Sequence, residues 1–296
     1  MTRATRFTVG RLTCWTLEGG LIRLDGGAMF GVVPKPLWER HARADDRNRI
    51  LLAMRCLLVE HPDGLVLVDT GLGDKETAKF RDIYGVANAG TAGPTALEDA
   101  LAEAGHGAAD VKWVVNTHLH FDHAGGNTRR AGDGPPALSF PNATYVVQQG
   151  ELETAAHPNE RTRANYLAPN FGPVSAASRW RLVTGELELL PGVRLLPTPG
   201  HTPSHQSVLV SSGGETACYL GDLVPMAAHL PAAWTMGFDL EPLVTIATKK
   251  RVLARAAREG WELVFEHDPA VARGRLGEDP ERGWAPEPVD TVRVAP

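Results

Sequence analysis

The chain has 296 residues, of which 43% are hydrophobic, and a formal charge of −5 with a pI near 6.1. Because acidic and basic residues are interspersed without a long basic run, this pattern argues against a nucleic-acid partner. The cysteines at positions 14, 56 and 218 are odd in number and widely separated, which predicts free thiols rather than disulfides or a cysteine-rich zinc site. There is no signal-peptide pattern and no apolar run of the roughly 18 residues that cross a membrane, so we expect a cytoplasmic protein without a membrane partner.

The N-terminal part of the chain is typical of strands. Residues 6–17 are rich in β-formers, and the apolar runs LLAMRCLLVE and LVLVDTG flank the turn HPDG, which predicts a hairpin. Residues 95–105 then predict a helix that Thr95 caps and Gly105 ends. The run VKWVV at 111–115 predicts a buried strand that leads directly into a cluster of histidines.

Strands and helices alternate again in the second half. ATYVVQ predicts a strand, ELETAAHPNERTRANYL a helix, and residues 181–221 a succession of short strands. Residues 242–259 predict a helix with a basic outer face, and WELVFEHD a final strand. We therefore predict an α/β fold of two packed sheets with helices outside, in one domain over residues 1–296. We expect an N-terminal extension over about 1–40 and a loosely packed, Pro-rich tail from about 273 to 296.

The histidine cluster reads THLHFDHAGG at residues 117–126 and has the spacing HxHxDH. In an extended segment, alternate side chains such as those of His118 and His120 point the same way, and Asp122 and His123 follow as the chain bends. So many adjacent polar groups are costly to bury unless a cation compensates them. Imidazole and carboxylate together form a ligand set that suits zinc and similar divalent ions.

Further ligands must come from elsewhere, because four local groups cannot surround two ions. His201, Asp222 and His267 each stand where an apolar strand is predicted to end. Taken singly, Asp and His are ordinary loop residues. Their shared placement is informative, because loops from several strand ends meet at one edge of a layered α/β fold.

These motifs together resemble the metallo-β-lactamase fold hydrolase superfamily. The resemblance rests on THLHFDHAGG, VDTG at 68–71, TPGHTPSH at 198–205, GD at 221–222 and EHD at 266–268. It implies a four-layer αββα sandwich, the metallo-β-lactamase fold, with two divalent metal ions, zinc first and Mn, Fe or Co as alternatives. The implied ligands are His118, His120 and His201 for one ion, Asp122, His123 and His267 for the second, and Asp222 as a bridge.

Two further residues are expected to support the ligands. Asp69 resembles the superfamily's aspartate that holds the ligand loop without touching metal; its alternative interpretation is a turn carboxylate in DTG. His205 lies four residues after His201, and for it we favour a supporting role over direct ligation.

Such a site predicts hydrolysis, because two cations can generate a bridging hydroxide and polarise a substrate carbonyl. Asp122 would orient the hydroxide and pass its proton to the leaving oxygen. Flavodiiron-type redox proteins would carry Glu in place of His120, and class B3 β-lactamases lack the bridging aspartate that Asp222 supplies. Glyoxalase II remains an alternative, although its Lys/Arg-bearing segment is not recognisable after Asp222.

Residues 24–38 and 221–242 resemble quorum-quenching lactonases that act on N-acyl-homoserine lactones, and related organophosphate hydrolases. Several such lactonases carry Tyr three residues after the bridging aspartate, where this chain has Pro225; His229 or Tyr84 could substitute as the donor. The aromatic and methionine side chains of these segments either line an apolar acyl pocket or form core. They are Met29, Phe30, Trp38, Trp234, Met236 and Phe238.

Our leading prediction is therefore a dinuclear metal-dependent lactonase with a small-molecule lactone or ester as its substrate. The enzyme alternatives are a phosphotriesterase or arylesterase and a glyoxalase II-like thioesterase. The non-enzymatic alternative is a metal-binding sensor on the same fold. Apolar residues within 24–40 also predict a homodimer in which one subunit caps its neighbour's pocket.

Overall fold

The computed structural model describes residues 2–279 and 283–291, and in this part of the chain two seven-stranded sheets dominate. The strands of the first sheet and of a small separate ribbon come from the N-terminal half and the middle of the chain. The first sheet contains β1 (Ala4–Val9), β2 (Leu12–Asp25), β3 (Arg49–Glu60), β4 (Leu65–Val68), β5 (Val111–Val115), β8 (Thr144–Gln148) and β9 (Trp180–Val183), and the ribbon contains β6 (Thr128–Arg129) and β7 (Ala137–Leu138). The first sheet has the strand order β1-β2-β3-β4-β5-β8-β9.

The second sheet follows its strands in chain order from β10 to β16. Its strands are β10 (Leu187–Leu190), β11 (Val193–Pro197), β12 (Gln206–Ser212), β13 (Glu215–Tyr219), β14 (Glu262–Val264), β15 (Val271–Asp279) and β16 (Gly283–Thr291). Neighbouring strands are antiparallel except β13 and β14, which run parallel and pair Cys218 with Leu263. The short strands predicted over 181–221 are thus confirmed.

The helices lie outside the sheets or in their connections. They are α1 (Gly26–Phe30), α2 (Lys35–Trp38), α3 (Ala78–Ile83), α4 (Ala96–Glu103), α5 (Phe121–Ala124), α6 (Gln149–Ala156), α7 (Ala168–Ala176) and α8 (Pro242–Glu259). Thr95 caps α4 as predicted, in a capping box with Glu98. The helix predicted over 242–259 is confirmed as α8, and Gly260 ends it in the left-handed conformation.

Three apolar layers hold the sandwich together. Between the sheets, Val59 and Val68 of the first sheet pack with Val208 and Val210 of the second. On one outer face Leu101 of α4 packs against the first sheet, and α8 covers the second sheet in the same way through residues that include Leu253. The predicted αββα sandwich is confirmed.

The parallel strands of each sheet determine which loops lie close enough together to form a functional site. In the first sheet β4, β5 and β8 run parallel, and in the second β13 and β14 do so. The loops after these strands leave at the same edge of their sheet, since parallel strands share a direction. Asp69, His118, Asp222 and His267 all lie on such loops.

Two predictions about individual segments were wrong. The helix predicted over 151–167 ends at Ala156, because Pro158 disfavours helical backbone at His157, and the next helix begins only at Ala168. The tail from about 273 is not loose where the structure describes it: β15 and β16 form a hairpin. Pro286 and Pro288 are tolerated there because β16 is an edge strand. Residues 280–282 and 292–296 of that predicted tail lie outside the described residues.

Within the predicted N-terminal extension, β1 and β2 form one end of the first sheet, so the strand character predicted over 6–17 is confirmed. β1 pairs with β2 in a register that places Phe7 opposite Cys14, and both side chains reach the central core. Across residues 2–279 and 283–291, no helix combines the length and apolar character needed to cross a membrane.

Candidate metal centre

The histidine cluster occupies the loop after β5 and the short helix α5. α5 begins at Phe121, where the chain bends after His120. The glycine pair after α5 lets this segment lie directly against the loop after β4. A Cβ at Gly125 would lie 2.1 Å from the carbonyl oxygen of Leu72, and one at Gly126 would lie 2.1 Å from that of Thr70. Glycine is therefore required at both positions, which fixes the cluster against the first sheet.

The histidines that the sequence distributes over 150 positions converge in two groups. One ligand atom from each of His118, His120 and His201 lies within 4.8 Å of the others. A second group, with the same limit of 4.8 Å, contains His123, Asp222, Glu266 and His267. All of these side chains are buried.

Asp222 lies between the two groups. Its Oδ2 is 3.1 Å from Nε2 of His201, and its Oδ1 is 3.1 Å from Nε2 of His267. Asp122 borders the second group, with Oδ2 3.7 Å from Nε2 of His267 and Oδ1 3.8 Å from Nε2 of His123. The structure thus brings all seven predicted ligands together, although Asp122 borders the second group and Glu266, which was not predicted as a ligand, lies within it.

The outer nitrogens of the imidazoles are held by the protein. Nδ1 of His267 donates to the carbonyl oxygen of Ala53 at 2.7 Å, and Nδ1 of His201 lies 3.0 Å from Oδ1 of Asp239. Such contacts fix the ring orientation and leave Nε2 of each ring facing the site.

The ring nitrogens that face the centre of the site, here called the inner nitrogens, show whether the site can hold cations. Nε2 of His267 lies 3.2 Å from Nε2 of His123, and Nε2 of His201 lies 3.1 Å from Nδ1 of His120. Because the outer nitrogen of His267 already donates its hydrogen, the inner nitrogen presents a lone pair in the neutral ring. Nε2 of His118 is buried and has no hydrogen-bond partner among the described residues. Lone pairs that face one another in a buried site are what a divalent cation compensates.

The electrostatics differ between the two groups. Although burial opposes it, the carboxylates of Asp222 and Glu266 raise the pKa of His123 and of His267, so the second group attracts positive charge, which a bound cation would supply. Burial, together with neighbouring imidazoles, holds the pKa of His118 and of His120 well below the ordinary value, so both rings are neutral and can act as ligands. Although burial opposes its charge, the surrounding histidines hold the pKa of Asp222 well below its ordinary value. The chemistry of this donor set therefore suits divalent metal ions, which confirms a divalent metal centre without fixing the element.

The two predicted supporting residues lie behind the ligands. Asp69 is fully buried; it accepts hydrogen bonds from the backbone N–H of Thr117 at 2.8 Å and from its hydroxyl at 2.7 Å. The same carboxylate lies 3.1 Å from Nδ1 of His123. His205 contacts Thr198 through Nδ1, and its Nε2 accepts the backbone N–H of Asp222 at 3.1 Å. Neither residue is in the two ligand groups.

Sequence reasoning missed three buried carboxylates around the site. Glu266 lies 3.0 Å from Nδ1 of His123, Asp239 contacts His201, and Glu151 lies in α6 beneath both ligand loops. The position of Glu266 beside His267 in EHD was a usable signal. Asp239 and Glu151 have no motif, because their partners are distant in sequence.

A cavity of about 400 Å³ opens onto the ligands His120, Asp122, His201, Asp222 and His267. Among the predicted pocket residues, Met29, Tyr84, Met236 and Phe238 line it.

The other predicted pocket residues do not line this cavity in the described structure, which corrects the sequence prediction. Phe30 stacks on Trp38 with ring centroids 5.3 Å apart and on His229 at 4.6 Å. Trp234 packs edge-on against Phe30 at 5.8 Å. Nε2 of His229 donates to the carbonyl oxygen of Met29 at 2.9 Å, so this nitrogen is not free to contact substrate. Phe30, Trp38 and His229 are buried in the core, and Trp234 is partly buried against them. The short helix α1 turns Phe30 away from the cavity that Met29 faces.

Comparisons with known proteins agree with the fold and the site. The family profile of the metallo-β-lactamase superfamily matches residues 55–267, a span that includes all seven proposed ligands. An N-acyl homoserine lactonase from a Bacillus species is 30% identical over 238 residues, which cover 75% of this chain and 84% of that protein. The chain therefore belongs to the metallo-β-lactamase superfamily, and the prediction of a metal-dependent hydrolase is confirmed.

Solved structures show the same architecture. A probable metal-dependent hydrolase from Staphylococcus aureus is 30% identical and superposes with a TM-score of 0.87 over 97% of this chain and 100% of that chain. AidC, a dizinc quorum-quenching lactonase in complex with a product, superposes with a TM-score of 0.79 over 99% and 100% of the two chains. AidC is 22% identical, so that likeness concerns the fold.

Proposed function

We propose that this protein opens the ring of N-acyl-homoserine lactones with two divalent metal ions. One observation carries the proposal: seven imidazole and carboxylate side chains converge beside a cavity whose wall includes Met29, Met236 and Phe238. A polar, cation-binding floor and an apolar wall match a substrate that has a reactive carbonyl and an acyl chain. The 30% identity to a Bacillus N-acyl homoserine lactonase supports the same substrate class.

We infer that His118, His120 and His201 hold one ion, that Asp122, His123 and His267 hold the other, and that Asp222 serves both. Zinc is the element we propose, because three imidazoles and a carboxylate form one of its common ligand sets. When bound, divalent ions supply Lewis acidity, which polarises the lactone carbonyl and makes water more acidic.

The protein's own side chains then transfer the protons. Asp122 lines the cavity beside the second ligand group, so its carboxylate is placed to take a proton from the attacking water. The new bond joins the water oxygen to the lactone carbonyl carbon, and the ring carbon–oxygen bond breaks. Asp122 then delivers its proton to the released ring oxygen, giving a hydroxyl and a carboxylic acid.

Tyr84 is the donor that we propose in place of the missing tyrosine at position 225. It lines the cavity, whereas Pro225 uses its carbonyl oxygen to accept the backbone N–H of His267 at 2.9 Å. Burial and the nearby Asp122 charge raise the pKa of Tyr84, so its hydroxyl stays protonated and can donate to the substrate. Of the two substitutes considered from the sequence, His229 is committed to the core and Tyr84 is not.

A cytoplasmic location and a homodimer remain predictions. The three cysteines are buried and free, as expected in a reducing compartment. Val32 is 87% and Leu37 is 45% exposed, which leaves apolar surface around α2 for a second subunit. Sedimentation equilibrium would measure the assembly size directly.

The test is turnover of N-acyl-homoserine lactones of several chain lengths by metal-loaded protein, followed by proton release on ring opening. The expected result is hydrolysis of at least one chain length, at a rate that Asp122→Asn lowers by about 100- to 10,000-fold. Chromogenic phosphotriesters and aryl esters, assayed in parallel, cover the alternative substrates. Turnover of those compounds with no lactone opening at any chain length would overturn the proposal.

A further inference from the structure

The cavity beside the metal centre also holds three arginines. Arg23, Arg47 and Arg49 line it together with the predicted ligands and the apolar wall. The cavity also has three carboxylates, but those of Asp122 and Asp222 belong to the predicted metal centre, so Asp25 is the acidic side chain that shares the rest of the lining with the three guanidinium groups. An alkyl chain gives such groups no partner.

Two of the arginines are already committed to structure. Arg49 contacts Asp45 through Nε and Nη2, both at 2.9 Å, and its Nη1 donates to the carbonyl oxygens of Asp82 and Ile83. Arg47 donates through Nη1 to the same Asp82 carbonyl oxygen at 3.2 Å. Their guanidinium groups hold the loops around the cavity.

Arg23 differs, because its guanidinium has no hydrogen-bond or ion-pair partner among the described residues. Its backbone is fixed in β2 opposite Leu51, and its N–H donates to the carbonyl oxygen of Tyr84 at 2.7 Å. Its half-buried side chain packs along Gly85, where an added Cβ would lie only 3.1 Å from Cδ of Arg23.

Asp25 also lines the cavity away from the metal ligands, but among the described residues its carboxylate forms no ion pair with Arg23. Asp25 accepts the backbone N–H of Ala28 at 2.8 Å and the side-chain amide of Asn48 at 2.9 Å, which occupies both carboxylate oxygens. Arg23 is therefore a positioned, partly desolvated cation that faces the substrate space.

We propose that Arg23 binds an anionic group on the acyl part of the substrate, so that the enzyme prefers lactones whose acyl chain carries a carboxylate. This inference rests on the proposed lactonase function. A planar guanidinium pairs with a carboxylate through two parallel hydrogen bonds, and partial burial strengthens the pair. An uncharged chain in the same place leaves the cation unpaired, so the discrimination has both an attractive and a repulsive part.

The experiment compares, at several chain lengths, lactones with a terminal acyl carboxylate and their methyl esters. For the metal-loaded wild-type protein we expect kcat/KM to favour the carboxylate by about 10- to 100-fold at the chain length that reaches Arg23, as a charge-assisted hydrogen bond gives. This preference should shrink as ionic strength rises.

Variants assign the preference to a residue. Arg23→Met should abolish it, while kcat/KM for the methyl ester should not fall, because the uncharged chain no longer lies against an unpaired cation. Turnover of the ester also shows that the variant is folded. Arg47→Met is the matched control, because Arg47 lines the same cavity but is paired, and it should keep most of the preference. If Arg23→Met fails to fold, Arg23→Gln serves in its place.

Equal kcat/KM for carboxylate and ester at every chain length, or a preference that survives in the Arg23 variant, would overturn this inference while leaving lactone opening intact. Loss of turnover for every lactone would instead overturn the proposed function, and this inference with it.

Discussion

The carboxylate of Glu151 accepts a hydrogen bond from the hydroxyl of Thr202 at 2.6 Å, and both residues are completely buried. The other oxygen of Glu151 accepts the backbone N–H of Leu119 at 3.1 Å and the hydroxyl of Tyr166 at 2.8 Å. Leu119 stands between two ligand histidines, and Thr202 directly follows His201. One carboxylate of α6 therefore holds together the two loops that carry the first group of imidazoles.

Glu151→Ala should weaken metal binding, because both loops lose their common partner. We expect the first ion's dissociation constant to rise about 10- to 100-fold, the usual effect of removing a group that orients ligands. Unpaired buried groups should also lower the free energy of unfolding by about 1–3 kcal/mol. Glu151→Gln keeps the shape and one acceptor, so it should restore most of the metal affinity. Titration with zinc measures this, and equal affinity in the wild type and the alanine variant would contradict the role.

Asp122→Asn separates proton transfer from metal binding. The amide keeps the size of the side chain but cannot accept the proton, so kcat should fall by about 100- to 10,000-fold. Metal content should stay near that of the wild type, because the amide oxygen of Asn can still coordinate the second ion and the other ligands of that group are unchanged. Measuring kcat and metal content on the same sample separates the two roles. Full activity in the variant would show that a group other than Asp122 transfers the proton.

Tyr84→Phe removes only the hydroxyl that we place beside the substrate. We expect a loss of about 10- to 100-fold in kcat, with less change in KM, because the donor acts as charge develops on oxygen. Tyr145→Phe is the matched control: its hydroxyl is buried against the carbonyl oxygens of Asn127 and Phe140, so it should change the melting temperature and not kcat. Unchanged kcat in the Tyr84 variant would show that another group donates.

Gly125→Ala tests the close approach of the ligand segment to the loop after β4. The backbone at Gly125 is helical, with φ −58°, and any residue can adopt it. A side chain is therefore excluded there by steric clash and not by backbone conformation. The clash with Leu72 should destabilise the protein by about 1–3 kcal/mol and displace α5. Gly172→Ala in α7 meets nothing within 4 Å and should be neutral or stabilising. Denaturant unfolding of both variants gives the comparison, and equal stabilities would refute the packing argument.

The sequence predicted the metal centre better than the cavity for a physical reason. His201, Asp222 and His267 each follow an apolar strand, and strand ends meet at one sheet edge whatever the details of packing. No comparable rule fixes the face of a short loop helix such as α1. Met29 and Phe30 are adjacent apolar residues in the sequence, yet Met29 faces the cavity and Phe30 faces the core.

Hydrogen bonds between residues that are distant in the chain could likewise not be predicted from the sequence. Glu151 lies in the part of the helix predicted over 151–167 that α6 confirms, but nothing local indicates that its carboxylate meets Leu119 and Thr202. The hairpin of β15 and β16 was missed because its prolines and charges are typical of loose segments. An edge strand accepts both, since one side of its backbone needs no partner strand.

Metal content, measured for the wild type and for site-specific variants, decides whether these residues form a dinuclear centre. After equilibrium dialysis against zinc and removal of loosely held ions, elemental analysis should give about two equivalents per wild-type chain. His201→Ala and His267→Ala should each retain about one, because they belong to different ligand groups. Less than about one equivalent in the wild-type protein, or about two in both variants, would contradict a dinuclear centre built from these residues.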